Sequence, residues 1–358
     1  MKAVVLTGHG GFDKLEYHTD WPTPKPGPLE VLIRVGACGL NNTDVNTRSG
    51  WYAKSVTSAT TGDAYDTLPE GDTGGWGEGL SFPRIQGADA VGEIVALGDG
   101  APADLMGKRV MVDCWLRDWD DPLNRNKTGY FGSECDGGFA EYAVVPLQNA
   151  RAVNCDLSDA ELATFACSYS TAEGMLSRAH VGPEDTLLIT GASGGVGSAL
   201  IQLAKRRGAR VVALASKAKH TALAPLNADV LLDRDPGPLD AVLQDEIGAR
   251  SVSVVADIAG GPMFPRLIDV LERGGRYVTS GAIAGPIVEL DLRTLYLQDL
   301  TLYGSTVIPP GIFDDLLVYI ERGEVEPQLA ATYPLSDFLA AQKAFIGKVH
   351  VGNIVVVP

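Results

Sequence analysis

Short apolar runs separated by turn residues fill the first 150 positions of the chain. The runs at residues 4–6, 31–35, 92–97 and 109–112 are three to six residues long and are bounded mainly by glycine, proline or polar residues. Runs of this length and setting predict β-strands rather than helices. We therefore interpret residues 1–50 as short strands and turns, within a β-rich domain.

From about residue 160 onwards, apolar strands alternate with helical stretches. Residues 199–207 predict a helix between two such strands. Apolar runs with intervening helices are typical of a parallel, doubly wound sheet. The predicted strands lie at residues 186–190, 210–214, 252–256 and 276–280, and a further strand is predicted at 354–357. The pattern as a whole predicts an α/β fold of two domains, as the length of 358 residues also favours.

Two segments contain few aliphatic residues and are predicted to be irregular. Residues 53–80 are polar and contain six glycines, and residues 116–135 carry many charges. Loops of the first length inside a domain are commonly lids or mobile segments. Residues 53–80 are therefore either a mobile cover over a substrate site or an insertion without a role.

The acidic balance of the chain excludes some classes of partner. Its 29 Lys and Arg against 45 Asp and Glu give a formal net charge of −16, whereas nucleic acids and anionic membranes attract concentrated positive charge. No apolar stretch approaches the roughly 20 residues of a membrane span, and the first residues lack a signal-peptide core. The five cysteines form no CxxC pair, which argues against a disulfide framework. We expect a cytoplasmic protein that acts on a small molecule and binds neither nucleic acid nor membrane.

A glycine-rich motif lies between a predicted strand and a predicted helix. It runs Gly191-Ala192-Ser193-Gly194-Gly195-Val196-Gly197, and this context is typical of a dinucleotide site. Gly191 would form a tight turn, and Gly197 would let the helix pack closely on the strand. Gly194 and Gly195 would let backbone amides approach a pyrophosphate at the helix N-terminus. The alternative, a glycine-rich turn without a ligand, leaves the order of strand, glycines and helix unexplained.

The end of the next strand indicates which dinucleotide is bound. A NAD enzyme usually carries an acidic residue there for the ribose 2′-hydroxyl, whereas this chain has Ala215. Ser216, Lys217 and Lys219 follow and can bond to a 2′-phosphate, which a carboxylate would repel. The alternative is a solvated turn with incidental lysines, and we favour NADP(H). The other residues assigned to the cofactor are Gly191, Ser193, Gly194, Gly195, Val196, Ser280, Gly281 and Asn353.

Several segments together resemble the medium-chain dehydrogenase/reductase superfamily of alcohol dehydrogenase-like proteins over nearly the full length. The glycine loop, with two residues between Gly191 and Gly194, and the segment Arg48-Ser49-Gly50-Trp51-Tyr52 are similar to its zinc-independent, quinone oxidoreductase-like branch. The other matching segments are Gly39-Leu40-Asn41-Asn42-Thr43-Asp44, Phe82-Pro83-Arg84-Ile85-Gln86-Gly87, residues 136–142, residues 255–261 and His350-Val351-Gly352-Asn353-Ile354-Val355.

The resemblance implies two domains with different tasks. A GroES-like partial β-barrel formed by residues 1–168 and 307–358 would be the catalytic domain. A Rossmann domain with a doubly wound parallel sheet, residues 169–306, would bind NADP(H). The resemblance also implies a homodimer or a homotetramer.

The chain departs from the zinc-dependent members at the metal ligands. Those members have Cys where this chain has Asn41 and His where it has Ala88, and only the third ligand position is retained, as Cys167. One thiolate with an amide and an alanine does not make a tetrahedral zinc site. A structural zinc needs four clustered thiolates, whereas this chain offers only Cys114 and Cys135 near residues 116–135. The sequence therefore predicts no metal.

Without zinc, hydrogen-bond donors must polarise the substrate, or the substrate must tolerate weak polarisation, as conjugated acceptors do. Tyr52 is the best proton donor by chemistry, and a packing role is its alternative. The alternative for Thr43 is a cap at the end of a strand, and the alternative for Arg48 is a structural ion pair. The donors that the resemblance places along the substrate cleft are Asn41, Asn42, Thr43, Arg48 and Tyr52.

The predicted function is the NADPH-dependent reduction of a quinone or an α,β-unsaturated carbonyl compound by direct hydride transfer. One alternative is a carbonyl reductase or alcohol dehydrogenase with an atypical metal site. Another is a non-catalytic NADPH-binding protein, because a fold alone does not give a function.

Overall fold

The computed structural model describes residues 1–60 and 80–358, so most of the predicted 53–80 loop, residues 61–79, lies outside the described residues. The chain divides into two compact units. The first unit holds the described residues of Met1–Val56, Thr61–Cys167 and Pro309–Pro358, and the second holds Thr57–Thr60 and Ser168–Ile308.

The strands of the described residues are numbered in chain order. They are β1 Ala3–Leu6, β2 Leu15–His18, β3 Glu30–Gly39, β4 Arg84–Ile85, β5 Asp89–Leu97, β6 Arg109–Val112, β7 Trp115–Arg117, β8 Thr128–Tyr130, β9 Tyr142–Pro146, β10 Ala150–Ala152, β11 Thr186–Ile189, β12 Arg210–Leu214, β13 Val230–Leu232, β14 Val252–Asp257, β15 Leu271–Thr279, β16 Thr301–Gly304, β17 Leu329–Pro334 and β18 Asn353–Val357.

The α-helices of the same residues are numbered likewise. They are α1 Asn42–Ser49, α2 Asp159–Leu162, α3 Ala166–Arg178, α4 Gly195–Arg206, α5 His220–Leu223, α6 Leu239–Ile247, α7 Phe264–Asp269, α8 Leu292–Leu297, α9 Ile312–Glu321 and α10 Phe338–Ile346. None of them is long and apolar enough to cross a membrane.

The first unit is built on a mixed sheet in the order β10-β6-β5-β3-β18-β17, with β9 also paired to β3. The ten-residue β3 is its centre and pairs antiparallel with β5, β9 and β18. Gly39 at the end of β3 lies opposite Asp89 at the start of β5. A Cβ on Gly39 would lie 2.3 Å from the carbonyl oxygen of Ala163. The absence of a side chain there brings the residues before α3 close to Asp89.

The second unit contains a six-stranded sheet in the order β13-β12-β11-β14-β15-β16, and all its pairs are parallel. Helices α4 to α8 lie between successive strands along the chain. All six residues of β14 are buried, as expected for a strand covered on both faces. This sheet is the predicted Rossmann sheet. Its strand order reverses between β11 and β14, which is where such sheets bind ligands.

The predicted strands and helix of the second unit are confirmed, whereas the interpretation of residues 1–50 as strands and turns alone is wrong. Residues Asn42–Ser49 form α1. The sequence of this helix is mostly polar, so it lacks the apolar periodicity that predicts an amphipathic helix. The charged stretch 116–135 was predicted to be irregular, but parts of it are strands. β7, which begins at Trp115, and β8 pair antiparallel as a short hairpin.

Candidate active site

The glycine motif follows β11 at the edge of the sheet where the strand order reverses. Gly191 has a φ of 58°, a left-handed conformation that glycine adopts without steric cost. Gly194 is the N-cap of α4, and a Cβ there would lie 3.7 Å from its nearest neighbour, the carbonyl oxygen of Gly191. The amides of the first helical turn, Gly195 to Gly197, have no partner within the helix and can bind a pyrophosphate.

Gly197 makes a close approach that excludes any side chain. A Cβ at this position would lie 2.3 Å from the carbonyl oxygen of Gly191 and 2.6 Å from the Cα of Ala192. The sequence predicted close packing at Gly197, and the contact proves to be with the glycine turn. The turn and the helix are therefore held together by their backbones, in a form that fits the phosphates of a dinucleotide.

The residues predicted to select NADP(H) lie where β12 ends. Lys217–Lys219 form a single 3-10 turn with Ser216 as its N-cap. The Nζ of Lys219 donates a hydrogen bond to the Oγ of Ser193, 3.2 Å away, so this lysine lies directly beside the glycine motif. Lys217 is exposed and Ser216 is half-buried. The structure thus brings Lys219 and Ser193 together, and their binding to a 2′-phosphate stays a prediction.

Arg234 is a cationic residue of this region that the sequence reasoning missed. Strands β12 and β13 pair in register up to Leu214 and Leu232, so Arg234, two residues after Leu232, leaves the same edge of the sheet as Ser216. Burial and the nearby Arg234 lower the pKa of Lys219. The signal was available in principle, because the carboxyl ends of parallel neighbours meet at one edge.

Asp257, at the end of β14, is a second residue that was missed. It is fully buried, and its Oδ1 accepts hydrogen bonds from the Thr190 hydroxyl at 2.5 Å and from Ala259 N at 2.9 Å. Its Oδ2 accepts from the Tyr277 hydroxyl at 2.6 Å, and Gly260 N donates to both oxygens. The carboxylate therefore fixes the residue before Gly191 and the turn after β14. Ser280 and Gly281 follow β15 at the same edge.

In the first unit, α1 carries most of the candidate donors. Asn41 is its N-cap, and the Oδ2 of Asp44 accepts a hydrogen bond from the backbone N of Asn41 at 2.7 Å. This is the reciprocal contact of a capping box. Burial raises the pKa of Asp44 to about 8.

Asp89 connects the two segments that hold Asn41 and Cys167, at two of the positions where zinc-dependent members carry ligands. Its Oδ2 accepts a hydrogen bond from the Nδ2 of Asn41 at 3.0 Å, and its Oδ1 accepts from the backbone N of Cys167 at 2.6 Å. Asp89 is 1% exposed, and burial raises its pKa to about 7. The Asn41 amide thus holds the Asp89 carboxyl, and its role as a donor to the substrate stays a prediction. Among the described residues, no group of three or more His, Cys, Asp and Glu is placed to hold a metal ion.

Tyr52 is half-buried and lies near Thr43 and near Asn46, a residue that the sequence reasoning missed. The side chains of Thr43 and Asn46 act to lower the pKa of its phenol, against the larger effect of burial. Burial raises the pKa of Tyr52, so the phenol is protonated at neutral pH and can donate. The ring of Tyr52 also packs edge-on against that of Trp51, with the centroids 5.7 Å apart, and the donor roles of Tyr52 and Thr43 stay predictions.

Two predicted donors have other partners. Arg48 is fully buried, its Nε donates to the Oε1 of Gln342 at 2.8 Å, and a terminal nitrogen donates to the carbonyl of Gly10 at 2.7 Å. Its guanidinium also lies 4.6 Å from the ring centroid of Phe12. These contacts give Arg48 a structural role through hydrogen bonds and ring stacking, and its predicted role as a donor to the substrate stays a prediction.

Asn42 and Asn353 are likewise occupied by protein groups. The Oδ1 of Asn42 accepts a hydrogen bond from the Nζ of Lys348 at 2.7 Å near the surface. The Nδ2 of Asn353 donates to the carbonyl of Thr164 at 2.7 Å within the first unit, and the side chain is buried. The Asn42 oxygen and the Asn353 amide thus bind protein groups, and the predicted roles of Asn42 as a donor and of Asn353 at the cofactor stay predictions.

The buried carboxyls Asp44 and Asp89 predict a loss of stability at rising pH. Their pKa values of about 8 and about 7 exceed the ordinary 3.8, so the folded chain holds protons that the unfolded chain releases. This stabilisation is complete below about pH 4 and is lost as the pH rises through 7 and 8. Between about pH 6 and pH 8, the free energy of unfolding should fall by about 1–2 kcal/mol more in the natural chain than in Asp44→Asn.

The measurement is urea denaturation of both chains at each pH. The amide of Asp44→Asn mimics the protonated carboxyl and does not titrate, so its pH dependence should be flatter. Parallel pH profiles for the two chains would show that Asp44 is ionised in the folded state throughout this range.

Two family models match this chain. Residues 27–154 match the family model described as an alcohol dehydrogenase GroES-like domain, and residues 195–321 match that of a zinc-binding dehydrogenase. A putative alcohol dehydrogenase from Sinorhizobium meliloti 1021 shares 47% sequence identity with this chain. Its crystal structure matches 100% of this chain and 96% of that chain with a TM-score of 0.90. The predicted α/β fold with a GroES-like domain and a Rossmann sheet is confirmed.

Two curated relatives are similar over nearly their full length. The acryloyl-coenzyme A reductase of Metallosphaera sedula is 27% identical, over 99% of each chain. The quinone oxidoreductase of Homo sapiens is 24% identical, over 97% of this chain and 94% of the relative.

Proposed function

The chain belongs to the medium-chain dehydrogenase/reductase superfamily of alcohol dehydrogenase-like oxidoreductases, and from this premise we propose that it reduces a quinone or an α,β-unsaturated carbonyl compound with NADPH, without catalytic zinc. The observation that carries the proposal is the hydrogen-bonded set of Asn41, Asp89 and Cys167. Both carboxyl oxygens of Asp89 accept hydrogen bonds, one from Asn41 and one from Cys167 N. An amide and a carboxyl engaged with each other are a poor ligand set for zinc, which prefers thiolate and imidazole.

Conjugated acceptors suit a site that lacks a strong Lewis acid. The nicotinamide, when bound, supplies a hydride, and the negative charge that develops on such an acceptor is spread over an enolate or a hydroquinone oxygen. One or two hydrogen-bond donors can stabilise a charge of this kind. Tyr52, whose pKa is raised by burial so that the phenol keeps its proton, is the donor that the first unit offers. Both curated relatives are named for substrates of this class, an acryloyl thioester and a quinone.

The choice of NADPH is supported by the surroundings of the glycine motif. Lys219 donates to Ser193 within the motif, Lys217 is exposed in the same turn, and Ala215 stands where an acidic residue would select NAD. Positive charge is concentrated here although the chain carries a net charge of −16. A 2′-phosphate would therefore meet cationic donors and no nearby carboxylate from this turn.

The test is turnover of NADPH with three groups of acceptors, with and without prior treatment by a strong chelator. We expect oxidation of NADPH with quinones or enones, little with saturated aldehydes and ketones, and rates after chelation within about twofold of the untreated protein. Elemental analysis of the purified chain accompanies the assay. About one zinc per chain, with activity lost on chelation and restored by zinc, would favour the metal-dependent carbonyl reductase instead. Binding of NADPH without turnover of any acceptor would favour a non-catalytic protein.

A further inference from the structure

One imidazole bridges the carboxyl ends of two neighbouring strands in the second unit. The Nε2 of His220 lies 3.1 Å from the carbonyl oxygen of Ala215, directly after β12, and 3.1 Å from that of Leu232, the last residue of β13. Carbonyl oxygens only accept hydrogen bonds, so Nε2 carries a proton and donates to both. The ring is half-buried. His220 therefore clamps the two strands where their pairing ends.

The clamp lies at the point where the chain leaves the sheet. The register of β12 and β13 ends at Leu214 and Leu232, and the backbone N of Ala215 still donates to the Leu232 carbonyl at 3.1 Å. Ala215 is 4% exposed, so its own carbonyl has little access to water and needs a partner within the protein. The imidazole supplies that partner, and the chain can turn away at Ser216.

The turn enclosed by the clamp, residues 216–219, is the one assigned to the 2′-phosphate. The backbone N of Lys219 donates to the carbonyl of Ser216 at 2.8 Å, and the Nζ of the same lysine donates to the Oγ of Ser193 at 3.2 Å. His220 follows Lys219 directly, so its two hydrogen bonds fix the far end of the turn against the sheet. Helix α5, which begins at His220, has only four residues and would not hold that end by itself.

We propose that His220 is a positioning residue for cofactor selection, which holds Lys217 and Lys219 where they meet the 2′-phosphate of NADPH. This inference rests on the proposed preference for NADPH. The Nε2 proton of His220 is engaged by two carbonyls, so the residue acts through the lysines rather than as a ligand of the phosphate. Lysine side chains lose much rotamer entropy when they are ordered, and a backbone that is fixed before binding limits the cost to those side chains.

The clamp should matter for NADPH and not for NADH, because the glycine motif has anchors of its own. The backbone N of Ala192 donates to the carbonyl of Leu214 at 3.1 Å, and the Thr190 hydroxyl donates to Asp257 at 2.5 Å. Both contacts hold the pyrophosphate-binding turn without the imidazole. Loss of the clamp is therefore expected to lower the selectivity for the 2′-phosphate rather than the binding of dinucleotides in general.

The experiment measures the affinities of the full chain for NADPH and NADH in His220→Phe, which keeps an aromatic ring and removes the donor. NADPH binding should weaken by about 5- to 30-fold, as the loss of one or two hydrogen bonds would give, and NADH binding should stay within about threefold. His220→Gln, whose Nε2 can donate to the same carbonyls, should recover most of the NADPH affinity. The matched control is His180→Phe, at an exposed position of the second unit, which should leave both affinities within about twofold.

Two further measurements separate positioning from general support of the fold. In a chain that already carries Lys217→Ala and Lys219→Ala, His220→Phe should weaken NADPH binding by less than about threefold, because the two lysines are no longer there to be positioned. Adenosine 2′,5′-bisphosphate should lose affinity in His220→Phe, whereas adenosine 5′-monophosphate, which lacks the 2′-phosphate, should not.

Equal weakening of NADPH and NADH in His220→Phe, or no weakening of either, would overturn the role of His220 and leave the proposed reductase activity intact. A loss of NADPH affinity that is as large without the lysines as with them would overturn it too. Equal affinities of the natural chain for the two cofactors would overturn the proposed preference for NADPH and this inference with it.

Discussion

Replacement of Lys217 and Lys219 together by alanine is expected to weaken NADPH binding by about 10- to 1000-fold and to leave NADH binding within about threefold. Each charge-assisted hydrogen bond to the 2′-phosphate contributes about 1.5–3 kcal/mol. NADH has no such phosphate, so it loses nothing directly. The natural chain should correspondingly bind NADPH about 10- to 1000-fold more tightly than NADH. Titration of nicotinamide fluorescence with each cofactor measures both affinities.

The control for this variant is the removal of a lysine elsewhere. Lys108 is exposed in the first unit, and Lys108→Ala changes the net charge without touching the cofactor site. Its affinities for both cofactors should match those of the natural chain. Equal affinities of the natural chain for NADPH and NADH, or equal losses for both in the double variant, would show that the lysine turn does not select the cofactor.

Replacement of Asp257 by alanine should lower the free energy of unfolding by about 3–5 kcal/mol, because it strands several buried donors at once. The carboxylate accepts hydrogen bonds from the hydroxyls of Thr190 and Tyr277 and from two backbone amides. Thr190 directly precedes Gly191, so its contact with Asp257 also holds the start of the glycine motif in place. We therefore expect weaker binding of either dinucleotide as well. Urea denaturation and cofactor titration measure the two effects.

Two controls isolate the carboxylate. Tyr277→Phe removes a single hydrogen bond and should cost about 1 kcal/mol. Asp245→Ala, at an exposed position on α6, should change stability by less than about 0.5 kcal/mol. A cost for Asp257→Ala no larger than that for Tyr277→Phe would mean that the buried donors find other acceptors, such as ordered water.

The dinucleotide-binding sheet was predictable because each of its signals is local. Buried parallel strands appear as continuous apolar runs, and β12 was predicted at its observed limits of Arg210–Leu214. The glycine motif marks its own turn, since a residue such as Gly191 must take a positive φ. Local sequence signals do not reveal which side chains contact each other across the sheet. The contacts of Asp257 with Thr190 and Tyr277 span 67 and 20 residues along the chain.

Helix α1, which carries most of the candidate donors, was harder to predict because it has no apolar stripe. α1 consists mostly of polar and charged residues, yet most of them are buried. Its usable signals were the ends, with Asn41 and Asp44 spaced as a capping box and Gly50 as a C-cap. Had these been recognised, the spacing of Thr43 and Asn46 would have placed both on one face. The structural role of Arg48 was not accessible in this way, because Gln342 lies 294 residues further along the chain.

The hydrogen bonds of Asp89 also oppose the introduction of a zinc ligand at position 41 of this chain. A cysteine at position 41 would restore one ligand of the zinc-dependent relatives but would remove the amide that donates to Asp89. The buried carboxyl would then lose a donor before any metal could compensate, at a cost of about 1–3 kcal/mol. A histidine at position 88 alone would place an imidazole where the Ala88 side chain is now buried. A zinc site designed into this chain would therefore have to change positions 41 and 88 together and supply Asp89 with a new donor.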